Sequence, residues 1–508
     1  MSEDGLLVLL VACAVLLTSI LAVRLTRRTG LPSLLVYLVV GLLIGEAGLG
    51  IRFDDYALTA DLGLVALAVI LAEGGLTTRW SVMRPALPFA VVLSTVGVLV
   101  SVAVIALVCT FVLGTDLRTA VILGSVVSST DAAAVFSVLR TLPLRPRVTA
   151  ALEAESGLND APVLVLVALA SSDAWGQTSV LASVGTGVYQ LLVGAAIGLS
   201  LGVVGSRVLL RLALPAAGLY PLATVALAVS AFGLASAAQA SGFLGVYFAA
   251  LVLGNARLPH RRAVLGFTSS LALLAEAGLF VLLGLLASPS RLPDALPAAL
   301  LIGAVATLLA RPLAVAVSAV PFRMPWREQV FLAWTGLRGA VPIVVAIIPI
   351  TQELPAAERV LDVVFVLVVV YTALQAPTLP WVGRRLGLVE QSPEPAEVEV
   401  EAAPLAQARA DLLQVQITPG SKLHGVYPAE LRLPHGAVLT LVVRDGQALA
   451  PGPDTSLSTG DELLVVAPEG SRSATEARLA AVGRAGRLAG WYDSERRRPG
   501  PGPRPGPG

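Results

Sequence analysis

Residues 148–171 read VTAALEAESGLNDAPVLVLVALAS, an apolar run with Glu155, Ser156, Asn159 and Asp160 set in its middle. Its length suits a helix crossing a hydrocarbon core about 30 Å thick, which takes roughly 20 residues. Similar runs recur along the chain. Hydropathy windows give about thirteen spans, near 5–24, 31–47, 61–78, 86–113, 119–139, 148–171, 179–206, 219–239, 242–256, 264–287, 297–319, 329–350 and 360–382. Of 508 residues 56% are hydrophobic and 14% charged, against about 25% charged in soluble proteins. The sequence therefore reads as an all-α polytopic membrane protein. The acidic start Met1-Ser2-Glu3-Asp4 is unlike the basic first region of a cleaved signal peptide.

Composition removes several functions. Cys13 and Cys109 lie inside apolar runs with no zinc spacing and no disulfide framework. His260, His424 and His435 fall outside the spans, so an intramembrane haem or metal centre lacks its usual ligands. A net charge of +1 gives no case for nucleic acid, and the sole lysine is Lys422. With 5% aromatic residues and no intramembrane histidine, a membrane enzyme or receptor is disfavoured. A potassium channel is disfavoured too, since no TVGYG-like filter loop is present.

Loop charges orient the chain. Alternate loops hold roughly 17 arginines (among them Arg24, Arg79, Arg145, Arg207, Arg261, Arg323 and Arg384), whereas the opposite set holds Arg52, Arg118, Arg291 and Arg359. The positive-inside rule puts the first set in the cytoplasm, with the N-terminus outside and the C-terminus inside the cell membrane. A transmembrane domain then covers 1–385, and an acidic, proline-bearing linker covers 386–408. A small cytoplasmic α/β domain over 409–472 shows strand periodicity at Leu412–Ile417, Ala437–Val443 and Glu462–Val466, with a hairpin turn at Arg444-Asp445-Gly446. Being small, it is expected to pair with a second copy. The segment 473–508 ends, from about 496, in a Pro/Gly/Arg tail expected to be disordered.

Ionised groups within a bilayer cost roughly 2.5–3.5 kcal/mol each on insertion scales, so each marks a pairing or a function. In span six, Glu155 and Asn159 stack one helical turn apart, as do Ser156 and Asp160, with the stripes about 100° apart. These hard oxygens suit an alkali cation or a proton. Pro162 also frees the carbonyl of Leu158. In span five, Ser128-Ser129-Thr130-Asp131 reads as a helix that stops and restarts in mid-membrane. Span twelve holds Gly336-Leu337-Arg338-Gly339 ahead of Pro342, a second break, with Arg338 facing Glu155, Asp131 or Asp160. The two breaks lie seven spans apart, hence in opposite orientation, as in inverted-repeat transporters. A buried Asp160 holding either a proton or a cation describes antiport. With no membrane lysine and Asn159 in place of a second acid, exchange is expected to be electroneutral. Glu73, in LAEGGLTT, is a candidate for guiding cations toward the site, with a snorkelling surface acid as the other reading. Glu276 and Arg311 are expected to form a structural pair, and Gln375 to serve helix packing.

Ser129-Thr130-Asp131, Glu155-Ser156-Gly157-Leu158-Asn159-Asp160 and Gly336-Leu337-Arg338-Gly339-Ala340 resemble the signatures of NhaP-type bacterial monovalent cation:proton antiporters. GEAGLGIRFDDY (45–56) and STDAAAVFSVLR (129–140) resemble their potassium/proton, CvrA-like branch. Residues 419–425, 444–446 and 460–462 resemble a TrkA-C (RCK-C) domain. The resemblance implies a homodimer that exchanges potassium, or sodium, for protons in pH and cation homeostasis, with no resident cofactor. It implies that Asp160 binds the cation with help from Ser156 and the Thr130 backbone, and that Asp131 supports the site. It further implies that Glu155 is bridged to Arg338 and that Asn159 orients the acidic pair. The C-terminal domain would answer to a bound ligand, a nucleotide being the candidate. One departure stands out: Ala161 separates Asp160 from Pro162, where the family commonly has proline directly after the aspartate.

Overall fold

The computed structural model describes Leu17 and residues 33–130, 144–389, 399–405 and 410–486, excepting positions 47, 49, 51, 52, 213, 257 and 445. The expected first span, 5–24, thus lies outside the described residues apart from Leu17. The chain forms two compact units, 1–389 and 390–508.

In the first unit the helices are α1 (Ser33–Ile44), α2 (Tyr56–Thr77), α3 (Leu87–Phe111), α4 (Leu117–Ser128), α5 (Pro146–Leu158), α6 (Asp160–Ser171) and α7 (Val180–Arg211). They continue as α8 (Leu219–Ala237), α9 (Gly242–Asn255), α10 (Arg261–Leu286), α11 (Leu292–Phe322), α12 (Trp326–Trp334), α13 (Ala340–Thr351) and α14 (Ala357–Arg385). Among the described residues, seven (α2, α3, α7, α8, α10, α11, α14) are apolar and long enough to cross a membrane. The starts of α2, α4, α7 and α9 are set by side chains that accept the first free amides: Asp55 from Leu58, Asp116 from Thr119, Ser179 from Ala182 and Ser241 from Leu244.

The helices sort into two packed groups, α1, α2 and α7–α10 on one side and α3–α6 with α11–α14 on the other. Within the first group, Gly194 and Gly198 of α7 rest on the backbone of Ser241 and Gly245, where any side chain would collide. Close backbone approach of this kind is how helices associate without a hydrophobic driving force. The second group carries the irregularities. Leu93–Gly97 in α3 and Ala306–Ala310 in α11 are π-helical turns. Five residues, Thr335–Gly339, separate α12 from α13. The break that span twelve predicts is therefore present. In span five α4 stops at Ser128, while its expected restart falls on 131–143, outside the described residues.

The second unit is an antiparallel sheet in the order β1-β2-β5-β3-β4, made of Glu399–Leu405, Ala410–Gln416, Glu462–Pro468, Val438–Arg444 and Gln447–Leu449, followed by α15 (Arg472–Ala485). Its core joins Leu413, Val415, Leu463 and Val465 to Leu479 and Val482 of α15. Two boundaries differ from the sequence reading. β1 lies inside the stretch read as linker, because Glu399-Val400-Glu401 alternates with the strand period despite its charge. α15 extends the domain past 472, since its apolar residues complete the core. Arg444 grips Asp461 through Nε and Nη2 at 2.8 and 2.7 Å. Burial alone would raise the Asp461 carboxyl, but Arg444 and the Ser458 amide outweigh it and hold it below the usual range.

Candidate functional site

The site forms where α4 ends and where α5 passes into α6. Ser128 turns its hydroxyl back onto the Gly124 carbonyl at 2.6 Å, and Ser129 is extended (φ −66°, ψ 142°), so the helix ends there. On the neighbouring span the ladder is interrupted at Asn159, between α5 and α6, because Pro162 brings no amide for Leu158. The two interruptions meet side by side. Ser129 Oγ donates to Asp160 Oδ1 at 2.8 Å, Asn159 Nδ2 donates to Thr130 Oγ1 at 2.5 Å, and Thr130 Oγ1 donates to Glu155 Oε1 at 3.4 Å. All five residues are buried, Glu155 at 2% exposure and Asp160 at 6%. Ser156 is buried in the last turn of α5. Asn159 Oδ1 is buried and has no hydrogen-bond partner among the described residues.

Glu155 is held by Arg311. The guanidinium meets both carboxylate oxygens, Nη1 on Oε1 at 2.5 Å and Nη2 on Oε2 at 2.7 Å. Such a bidentate pair is the geometry that makes burying two charges tolerable. Both π turns serve it. The turn Ala306–Ala310 directly precedes Arg311, and the turn Leu93–Gly97 carries Ser94, whose hydroxyl reaches the Glu155 carbonyl at 3.4 Å. Gly336, in the break before α13, makes room: a Cβ there would lie 3.0 Å from Arg311 Nε.

Two expectations are corrected by this pair. Arg338 does not face Glu155, and Arg311 does not pair with Glu276. Arg338 instead donates from Nε to the Val127 carbonyl at 2.9 Å, placing its charge at the carboxyl end of α4, where the helix dipole favours a cation. Its own carbonyl, which Pro342 leaves without an amide, takes the Thr372 hydroxyl of α14 at 2.6 Å. The structure thus brings together Thr130, Glu155, Asn159 and Asp160, with Arg338 at the margin through α4. Glu73 is elsewhere, on α2, accepting from Ser269 of α10 at 3.1 Å. Asp131 lies outside the described residues. Gln375 is buried on α14.

The sequence reading left Ser94 and Ser129 without roles and gave Arg311 the wrong partner. Ser129 was legible as part of a polar run in an apolar span. Ser94 was not, because a lone serine in such a span carries no direction.

Comparison with known proteins adds to this geometry. A family model described as "Sodium/hydrogen exchanger, transmembrane" matches residues 14–385, and one described as "TrkA-C domain" matches 412–480. A protein named K(+)/H(+) antiporter NhaP from Alkalimonas amylolytica is 35% identical, covering 91% of this chain and 81% of the relative. K(+)/H(+) antiporter NhaP2 from Shewanella oneidensis is 33% identical, over 90% and 80% respectively. The sodium proton antiporter MjNhaP1 from Methanocaldococcus jannaschii shares the fold, with a TM-score of 0.67 at 22% identity over 76% of this chain and 99% of that one.

Proposed function

Because the chain belongs to the sodium/hydrogen exchanger family, we propose that it is an antiporter exchanging potassium, with sodium as the second candidate, for protons across the cell membrane. The observation that carries this reading is the meeting of two helix interruptions around Asp160, lined by the hydroxyl of Ser129 and the amide of Asn159. An enzyme would need a reacting pair of groups; this cluster offers oxygen ligands and a titratable carboxylate. The names of the relatives at 33–35% identity support potassium as the cation.

The roles follow from the contacts. Glu155, gripped by Arg311 through both oxygens, is committed to a structural charge pair. Asp160 is the other buried carboxylate of the segment and alternates between proton and cation, two positive occupants of one place. Asn159 Oδ1, buried and without a donor, offers the cation a neutral ligand, as do Ser156 and the Thr130 backbone. Burying an acceptor unsatisfied costs about 1–3 kcal/mol, and a bound cation relieves it. Asp131 supports the site in this reading, Arg338 fixes the end of α4 beside it, and Glu73 guides cations from α2. One carboxylate exchanging one cation for one proton makes the cycle electroneutral.

The same reading places the N-terminus outside and the C-terminus in the cytoplasm, pairs two copies in the lipid bilayer, and assigns the chain to pH and cation homeostasis. The TrkA-C unit regulates exchange by binding a small ligand, a nucleotide being the candidate; the transport domain itself needs no cofactor. The test is dequenching of a pH dye in everted vesicles, with potassium, sodium and lithium added separately. Potassium-driven dequenching that disappears in Asp160→Asn and is indifferent to membrane potential is expected. Unchanged exchange in Asp160→Asn would falsify the assignment, and a response to sodium alone would move the cation to sodium.

A further inference from the structure

Besides the main core, the first unit holds a small separate apolar cluster of Met83, Ala90, Ala154, Leu158, Tyr247 and Leu251. Its members come from both helical groups: Ala154 and Leu158 from α5, Tyr247 and Leu251 from α9. The contact at its centre is unusually close. The Tyr247 ring lies on Gly157, so that a Cβ at Gly157 would collide with its Cζ and Cε2 and lie 2.6 Å from the hydroxyl oxygen. Gly157 is three residues before Asp160. Tyr247 is buried; its hydroxyl donates to Met83 Sδ at 3.4 Å, a weak acceptor, and the Thr78 side chain also interacts with it.

The position of this cluster along the membrane axis follows from its neighbours. α5 starts beside Arg145 and Arg147 and reaches the site at its far end; Met83 lies between Arg79 and Arg84. Asn255, at the end of α9, holds the same loop, accepting from the Trp80 amide at 2.8 Å and donating to the Thr78 carbonyl at 2.9 Å. The cluster therefore fills the space between Asp160 and the arginine-rich end. At the opposite end are cavities of about 820 Å³, lined by Arg291, Asp294, Glu353 and Asp362, and about 520 Å³, lined by Asp54, Asp55 and Glu353.

We propose that Tyr247, seated on Gly157, is the gate that closes the ion path between Asp160 and the arginine-rich end. The ring leaves Gly157 each time Asp160 is reached from that end, by movement of one helical group against the other. Glycine at 157 is what lets the ring approach closely enough to exclude water and ions. The proposal rests on the antiport reading, in which a carrier exposes its site to one side at a time.

The test measures access, so it stands apart from transport. In the full-length chain with Cys13→Ala and Cys109→Ala, Ala161→Cys serves as reporter beside Asp160, and a separate Arg84→Cys chain identifies the vesicle face carrying the arginine-rich end. Labelling by a membrane-impermeant maleimide is timed from each face in everted and right-side-out vesicles. Tyr247→Ala is expected to raise the labelling rate from the Arg84 face at least tenfold and to leave the other face within twofold. Tyr247→Phe, which keeps the ring, stays within twofold of the parent on both faces. Gly157→Ala, which unseats the ring, raises labelling from the Arg84 face, and adding it to Tyr247→Ala raises it no further. Unchanged labelling in Tyr247→Ala, or an equal rise from both faces, overturns the gate; should that variant fail to insert, Tyr247→Leu decides on the same criterion. A parent chain that shows no cation-driven dye response, yet gives these labelling differences, would count against antiport and not against the gate.

Discussion

At the scale of single residues, the Glu155–Arg311 pair sets the electrostatics of the site. Removing one partner leaves the other charge buried and uncompensated, at a cost of about 3–5 kcal/mol. Arg311→Met is therefore expected to lower the yield of folded protein and the unfolding temperature in detergent far more than the double variant Glu155→Gln/Arg311→Met, which removes both charges. Thermal unfolding of the purified variants checks this, and an equal loss in the single and double variants would show that the pair carries no coupling. The sequence disclosed that these residues are exceptional, because charges in apolar spans always are. It did not disclose who pairs with whom. Arg311 and Arg338 both sit in apolar spans next to small residues and prolines, and the choice between them depends on a π turn that rotates Arg311 toward Glu155. No spacing rule along the chain encodes that rotation.

At the scale of elements, the proposed site is built from helices that stop. α4 ends at Ser128, α12 and α13 are parted by Thr335–Gly339, and Arg338 in the second gap holds the last carbonyls of the first helix through Val127. The charge at a helix carboxyl end contributes about 0.3–2 kcal/mol, and its loss here also leaves a buried carbonyl without its donor. Arg338→Met is accordingly expected to reduce exchange more than tenfold, with Arg338→Lys recovering part of it through the retained charge, as read by dye dequenching at matched protein levels. Equal activity in Arg338→Met and the parent would mean that the end of α4 holds its shape without help. The end of α4 and the gap before α13 were legible, one from a Ser-Ser-Thr-Asp run and the other from Gly and Pro around an arginine, since residues that favour caps and breaks are rare inside apolar spans. The π turns in α3 and α11 were not legible: LSTVG and ATLLA differ in no evident way from ordinary helix. β1 was hidden for another reason, its glutamates suggesting a solvated linker while its alternation fitted a strand.

At the scale of the whole molecule, the chain divides at 389/390 into two units with separate hydrophobic cores. The helical unit finds its packing, its charge pair and its proposed ion ligands within residues before 390, and every site contact is internal to it. Conversely, the sheet unit closes its own core with α15 and its own ion pair between Arg444 and Asp461. Separate cores mean that deleting one unit exposes no apolar interior of the other, so the transport unit should survive truncation. A chain ending at Val389 is expected to insert, to retain cation-driven dye dequenching within about threefold of the full chain, and to lose whatever change in rate or apparent affinity nucleotides produce in the full chain. The comparison needs both chains reconstituted at equal density, with exchange measured against potassium concentration with and without added nucleotide. If the truncated chain is folded but transports nothing, the second unit is part of the transport cycle itself; if both chains respond equally to nucleotide, the responsive site lies among the helices. Either result would count against the proposal that the second unit is a separate regulator of exchange.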